Sequence, residues 1–301
     1  MHIKLLGTAA GGGFPQWNCW CPPCRVARTD PALAHPRTQS SAAVSSDGHR
    51  WFLLNASPDV RDQLRGLHLP TPAGLRFSPI EGVVTTDAEL DHTLGIALLR
   101  ESRSLGLYLT EAVREVLAED SRILPVTEAF AQLTVTTLPL EEPRDLAYRD
   151  GSKSGLRVTA FAVGGDPPRF ARRDLPGHTV GLVIEESTSG RSCIFVPGCG
   201  ALDDELLARL ARAELLLLDG TFWTEDELIG LGISDRRAAQ MGHLPVSGSG
   251  GSLEKLARLQ NRRIYTHINN SNPMLVENSP ERRAVEAAGV TVGDDGMLFT
   301  I

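Results

Sequence analysis

No stretch of this chain approaches the ~18 consecutive apolar residues that a membrane-spanning helix needs, so a membrane location is excluded. Basic runs are missing as well. The 37 Asp and Glu outnumber the 30 Lys and Arg, for a formal net charge of −7. Phosphate backbones are bound through a basic stripe, so nucleic acid is not expected as a partner. The opening MHIKLLGTAAGGGF lacks the apolar core and cleavage site of an export signal, which leads us to expect a cytoplasmic protein. Repeats with a period of about 20–50 residues are absent, and no low-complexity segment divides the chain.

What is there has ordinary globular proportions. With 42% hydrophobic and 22% charged residues, disorder, collagen and coiled coil are excluded, and 301 residues can bury a large core. Five cysteines are an odd number, and three of them crowd into N-C-W-C-P-P-C as Cys19, Cys21 and Cys24. In a reducing compartment such a cluster reads as a metal site rather than a disulfide framework. Three thiolates suit tetrahedral Zn²⁺ at about 2.3 Å, and Pro22–Pro23 would stiffen the loop. The alternative is a Cys21–Cys24 redox pair or three free thiols. Cys193 lies in an apolar run and reads as inert. Cys199, with no His–carboxylate partner to activate it, reads as a small core or site-wall residue.

Short apolar runs bounded by Gly, Pro, Asn or Asp predict strands over His2–Leu6, Trp51–Leu54, Gly82–Thr86, Leu107–Leu109, Leu133–Leu138 and Arg157–Val163. A second series is predicted over Val180–Ile184, Ser192–Val196, Leu215–Leu218, Arg263–Thr266 and Met297–Ile301. Apolar residues spaced at three and four predict helices over His92–Glu101, Glu111–Asp120, Asp203–Ala213, Thr224–Leu231, Ser252–Gln260 and Pro280–Ala288. Asp203 and Ser252 are expected as N-caps, and Pro280 suits a first turn. This alternation favours two sheets with helices packed outside them. Pro143–Gly155 and Gly164–Gly177 read as long loops, and a single domain over 1–301 is expected.

The densest chemistry lies in T-T-D-A-E-L-D-H-T-L-G, Thr85–Gly95, where Asp87, Glu89, Asp91 and His92 fall within six residues. On an extended chain positions 87, 89 and 91 share a face, and a helix opening at Thr93 would swing His92 toward the same point. Converging carboxylates and an imidazole call for a cation. A solvated acidic turn with a helix-capping Asp is the plainer alternative.

This segment resembles the T-H-x-H-x-D-H-x-x-G signature of the metallo-β-lactamase superfamily. Asp87 and Glu89 replace its first two His, while Asp91, His92 and Gly95 are retained. The resemblance continues in L-G-T-A-A-G-G-G-F-P near the start, L-L-N-A-S-P-D at 53–59 and G-H-T-V-G-L at 177–182. It closes with F-V-P-G-C-G at 195–200, D-G-T-F-W at 219–223, M-G-H at 241–243 and Y-T-H-I-N-N at 265–270. The implied fold is α/β, an αβ/βα sandwich of two mixed β-sheets with helices on the outer faces and the site at the strand ends. The altered D-A-E-L-D-H, the cysteine cluster and the ending Y-T-H-I-N-N-S-N-P together resemble the branch that serves pyrroloquinoline quinone (PQQ) biosynthesis.

A hydrolytic dinuclear zinc site uses imidazoles and a bridging carboxylate to hold two ions about 3.5–4 Å apart. Here two imidazoles are gone, and Cys199 stands where the bridging Asp is expected. Asp91, His92 and His267, the last ligand by resemblance, remain. Two His and one carboxylate make the ligand set of non-haem Fe(II) oxygenases, although such sets also accept other divalent ions. The resemblance implies an iron-dependent hydroxylase that inserts oxygen from dioxygen into the tyrosine ring of a cross-linked Glu–Tyr diamino acid cut from a precursor peptide. A metal-dependent hydrolase and a carrier for the quinone or its precursor are the competing functions. A homodimer is left open.

Further roles follow from the resemblance. Asp87 and Glu89 become accessory ligands or acceptors for substrate amine protons. His178 falls at the third ligand position and is either a ligand or an acid–base group for the phenol proton. His243 is a substrate contact or a helix-entry histidine bonded to backbone, and Asp219 a supporting carboxylate or a strand-end turn residue. A related phosphodiesterase branch completes the Cys loop, about residues 15–30, with a His at the position of Asn270, so Asn270 or a water is the expected fourth zinc ligand. Without a nucleotide-binding glycine signature, Gly11–Gly13 read as close backbone packing near the site mouth. Trp17 and Trp20 are expected to bury the zinc loop, with stacking on an aromatic substrate as the alternative.

Overall fold

The computed structural model describes residues 1–67 and 75–301. The first half of the chain lays down one sheet: β1 (His2–Gly7), β2 (Ser41–Ser45), β3 (Trp51–Leu54), β4 (Ile80–Val84), β5 (Ser104–Leu109) and β6 (Gln132–Thr137). The second half builds another from β7 (Arg144–Ala147), β8 (Lys153–Ala162), β9 (Val180–Glu186), β10 (Ser192–Val196), β11 (Leu215–Asp219), β12 (Arg262–Thr266) and β13 (Thr291–Val292). A last strand, β14 (Leu298–Thr300), returns to the first sheet and pairs antiparallel with β1, Ile3 opposite Phe299. Each sheet thus has seven strands, in the orders β14-β1-β2-β3-β4-β5-β6 and β13-β12-β11-β10-β9-β8-β7. Both are mixed: β3 to β6 and β10 to β13 run parallel, and the remaining pairs antiparallel.

The two sheets face each other across Ile3, Leu5, Phe52 and Leu54 on one side and Leu182, Ile184, Phe195 and Leu217 on the other. Helices cover the outer faces. Val60, Ile96 and Val113 pack on Leu53, Val83 and Leu107, while Leu210, Leu256 and Val285 pack on Ile194, Leu216 and Leu218. This layering explains the run Leu215–Leu218. Alternate leucines enter opposite layers, and a parallel strand buried on both faces has no polar side to show. The αβ/βα sandwich implied by the resemblance is the fold observed.

Local departures have physical causes. The strand β2 escapes a hydrophobic-pattern reading because S-A-A-V-S buries small residues throughout. The segment expected as a loop over Pro143–Gly155 contains β7 and the start of β8, a hairpin with mostly solvated outer positions. Three helices lie where none was predicted: α1 (Pro22–Thr29), α2 (Val60–Arg65) and, after α3 (Leu90–Thr93), α4 (Gly95–Leu98) and α5 (Glu111–Glu115), α6 (Ile123–Glu128). The expected helix His92–Glu101 opens two residues early and breaks into α3 and α4, and α5 runs on as a π turn over Val116–Asp120. Among the later helices, α7 (Asp204–Leu210) is capped by Asp203, which accepts the Leu206 amide at 2.8 Å. Ser252 does not cap α9 (Ser252–Leu256). Gly251 occupies that place, and the Ser252 hydroxyl bonds Tyr265 at 2.8 Å.

The carboxyl ends of β4, β11 and β12 meet at one edge of the sandwich, where ligand sites of open α/β sheets lie. The Val180 amide donates to Thr86 O at 2.8 Å, and Ala10 and Ile268 tie the first glycine loop to the chain after β12. Gly95 serves the same edge. A methyl group there would collide with the Ser57 and Ala56 carbonyls, so only glycine lets the α3–α4 corner seat against the loop after β3.

Candidate metal centre

Asp91 and His92 stand on α3, and His267 follows β12 in the left-handed conformation, φ 53°. Asp91 Oδ2 lies 3.4 Å from His267 Nε2 and 3.9 Å from His92 Nε2, and the two rings meet edge to face at 5.0 Å. One donor atom from each of the three lies within 4.8 Å of the others. His92 Nε2 is buried and has no hydrogen-bond partner among the described residues. An orphaned buried nitrogen is costly unless something engages it, and a two-imidazole, one-carboxylate donor set fits a divalent metal ion.

Each imidazole is held from behind. His92 Nδ1 donates to both oxygens of Asp87, at 2.7 and 2.8 Å. Asp87 in turn accepts from the Thr86 hydroxyl at 2.8 Å and the Glu89 amide at 2.9 Å, and Thr86 is locked to the Asn55 amide. His267 Nδ1 bonds the Thr221 hydroxyl at 2.8 Å, which donates to Asp219 at 2.6 Å. These bonds place an Nδ1–H on both rings away from the centre and turn both Nε2 atoms toward it. Burial would raise Asp91, but His92 and His267 hold its carboxyl well below the usual range. Burial alone would lower His92; Asp87 and Asp91 lift it to about 9. A cluster of this sign draws a cation.

A second group, Asp219, His243 and His267, also brings its donors within 4.8 Å. Its carboxylate is already saturated. Asp219 accepts from His243 Nδ1 at 2.7 Å, the Cys199 amide at 3.0 Å, the Thr221 amide at 2.9 Å and the Thr221 hydroxyl. It therefore orients His243, which stacks on His267 at 5.4 Å, rather than offering a free ligand. Cys199, in the place of a bridging Asp, turns its sulfur to Ala201 O at 3.0 Å, and burial pushes its thiol up to about 12.

Asp91, His92, His243 and His267 border a cavity of about 600 Å³. Glu89 lines it, its carboxyl pushed up to about 7 by burial and by Asp87 and Asp91. Asp87 also borders the cavity, but both of its oxygens accept from His92 Nδ1, so it supports that ring rather than serving as an accessory ligand. His178 does not join the centre. It is buried, Nε2 accepts the Leu175 amide at 2.7 Å, and it borders a different cavity with Glu111 and Asp120. Adjacent residues entering β9 point oppositely, so Thr179 takes the inward position that the motif assigned to His178. The glycine loop packs as expected: a Cβ on Gly11 would press Asp91 Oδ2 at 3.1 Å. Thr221 and Asn55 were missed, because a hydroxyl or amide in a loop carries no ligand signature.

The cysteine cluster forms a second centre. Cys19, Cys21 and Cys24 bring their sulfurs within 4.8 Å, with Cys21 at the N-cap of α1 and the prolines in its first turn. No disulfide links them. Asn270 meets them: its carbonyl lies 3.3 Å from Cys21 Sγ, and its side-chain amide donates to Cys24 Sγ at 3.3 Å. Hydrogen bonds from Cys21 and Asn270 outweigh burial and bring Cys24 down to about 6. Three sulfurs at a helix start, one poised as thiolate, fit Zn²⁺. Trp17 and Trp20 do not bury this loop. They are 82% and 64% exposed, Arg28 lies over Trp20, and neither borders the metal-centre cavity.

A profile described as "Beta-lactamase superfamily domain" matches residues 50–268. Coenzyme PQQ synthesis protein B of Azoarcus sp. strain BH72 is 42% identical over the whole of both chains. The protein of that name from Methylobacterium nodulans is 44% identical, again over the whole of both. The crystal structure of Zn²⁺-bound PqqB from Methylobacterium extorquens superposes with a TM-score of 0.89 at 38% identity and covers both chains fully.

Two outcomes are expected. Asp87→Asn should weaken metal binding at the Asp91–His92–His267 centre about 10–100-fold in a chelator competition, because it removes the carboxylate that orients His92; unchanged affinity would contradict this. Cys21→Ser should remove zinc from the cysteine cluster and leave the other centre loaded. Elemental analysis showing undiminished zinc would place that metal elsewhere.

Proposed function

This chain belongs to the family of coenzyme PQQ synthesis protein B within the β-lactamase superfamily, and on that premise we propose that it is an iron-dependent hydroxylase of PQQ synthesis. Its substrate is the cross-linked Glu–Tyr diamino acid, and its reaction inserts one oxygen atom of dioxygen into the tyrosine ring, the other leaving as water with two electrons from an external reductant. The observation that carries this reading is that, of the two donor groups at the site among the described residues, Asp91, His92 and His267 have a free carboxylate whereas Asp219 of the other is spent on four hydrogen bonds, and a dinuclear hydrolase needs both. The Zn²⁺-bound relative supports a metal in the family. Fe(II) is proposed for the centre and Zn²⁺ for the cysteines.

Fe(II) in such a set keeps coordination positions open for dioxygen and substrate. The chain's own residues do the rest. Asp87 and Thr221 fix the two imidazoles before any ligand arrives, so little ordering remains at binding. Glu89 accepts a hydrogen bond from a substrate ammonium in the cavity. His243, its Nδ1 committed to Asp219, presents its other nitrogen to the cavity and takes the phenolic proton, the role that sequence assigned to His178. Gly11, without a side chain, leaves the approach to Asp91 open.

The test is Fe(II)-reconstituted protein given the diamino acid and an excess of a small-molecule reductant under heavy-isotope dioxygen. The expected result is oxygen uptake with label in the ring. His267→Ala should abolish both. Turnover without oxygen would favour a hydrolase, and tight binding of the quinone with no uptake would favour a carrier; either result would overturn the reading.

A further inference from the structure

Two loops border the mouth of the cavity, 164–177 after β8 and 232–243 after α8 (Glu227–Gly230), and they approach at Gly165 and Gly242. Each carries arginines of two kinds. On the first, Arg172 turns outward to Asp120, 3.4 Å away, and Arg173 pairs with Glu115. The buried His178, by accepting the Leu175 amide, pins the end of the same loop. Arg169 instead lines the cavity and makes no hydrogen bond or ion pair among the described residues. The second loop repeats the pattern. Arg237 pairs outward with Asp226 at 3.4 Å, whereas Arg236 lines the cavity, its guanidinium bonded among the described residues to the backbone carbonyl of Gln240 alone. Asp166 shares the rim and forms an ion pair with neither.

The cavity is therefore polarised. Glu89, Asp91 and Asp87 border it on the side of the metal ligands, and the two loops add two guanidinium groups with no carboxylate at ion-pair distance among the described residues, the charge of Arg169 being felt at Glu89. On the PQQ reading, on which this inference rests, the cross-linked Glu–Tyr substrate brings two ammonium groups and three carboxylates. Guanidinium forks match carboxylates in bidentate geometry. We propose that Arg169 and Arg236 are the specificity-determining anchors that bind the substrate's carboxylates, leaving its ammonium groups for the acidic side. The neighbouring Arg172, Arg173 and Arg237 clamp the loops and take no part in recognition.

Equilibrium dialysis of the zinc-loaded, full-length protein tests this, with PQQ as a tricarboxylate and its trimethyl ester as a neutral counterpart. Arg169→Ala and Arg236→Ala should each weaken binding of the tricarboxylate about 10–100-fold and leave the ester unchanged. Arg169→Lys should recover only part of the loss, and Arg237→Ala should change neither. In turnover of the diamino acid, KM should rise while kcat stays within about twofold. Wild-type affinity in both alanine variants, or an equal loss for the ester, would overturn the anchor assignment and leave the PQQ reading standing. A wild-type protein that binds neither PQQ nor the diamino acid would bring down that reading, and this inference with it.

Discussion

Asp87 and His92 are both withdrawn from water, and neither tolerates that alone. Their two short hydrogen bonds make each acceptable to the fold, and removing one partner of such a buried pair costs about 3–5 kcal/mol. The bond also turns the ring so that Nε2 faces His267 and Asp91. Behind it stands a relay of Asn55, Thr86 and Asp87, which carries the order of β3 and β4 into the site. The second sheet offers a counterpart: Asp219 at the end of β11, through Thr221 and directly, sets His267 and His243. Each sheet thus contributes one buried carboxylate that positions imidazoles, and the cavity lies where the two meet.

That arrangement changes the meaning of the acidic motif. A carboxylate behind a ligating histidine fixes its tautomer and raises its basicity, so in the proposed centre Asp87 acts through His92. Meanwhile the bridging position is taken by Cys199, whose sulfur turns into the core, and the donors of Asp219 are spent inside the protein. What was a platform for two ions in the hydrolytic members of the superfamily has a free donor set for one.

Much of this could be read from the residues. Leu215–Leu218, Ser192–Val196 and Trp51–Leu54 declared their strands because short apolar runs between turn residues are too brief for a helix, and Gly95 was legible through its motif. Other features were hidden. An extended chain would place 87, 89 and 91 on one face, but Asp87 caps a turn by accepting the Glu89 amide, which sends its carboxylate to the far side of His92. His178 was misplaced by one step of strand alternation, an error no spacing rule detects before the register is known. The tryptophans beside the cysteine cluster looked like cover for a zinc loop; helix α1 and Asn270 supply that cover instead. The arginines of the two rim loops belong to no motif, and it is the outward pairing of their neighbours that sets Arg169 and Arg236 apart.

The central claim is one metal ion held by Asp91, His92 and His267. Anomalous diffraction from iron-loaded crystals addresses it directly. The account predicts a single iron peak in the cavity, bonded to the Nε2 atoms of His92 and His267 and to an Asp91 oxygen. A pair of peaks sharing Asp219 or His243, or an ion seated away from His92, would contradict it.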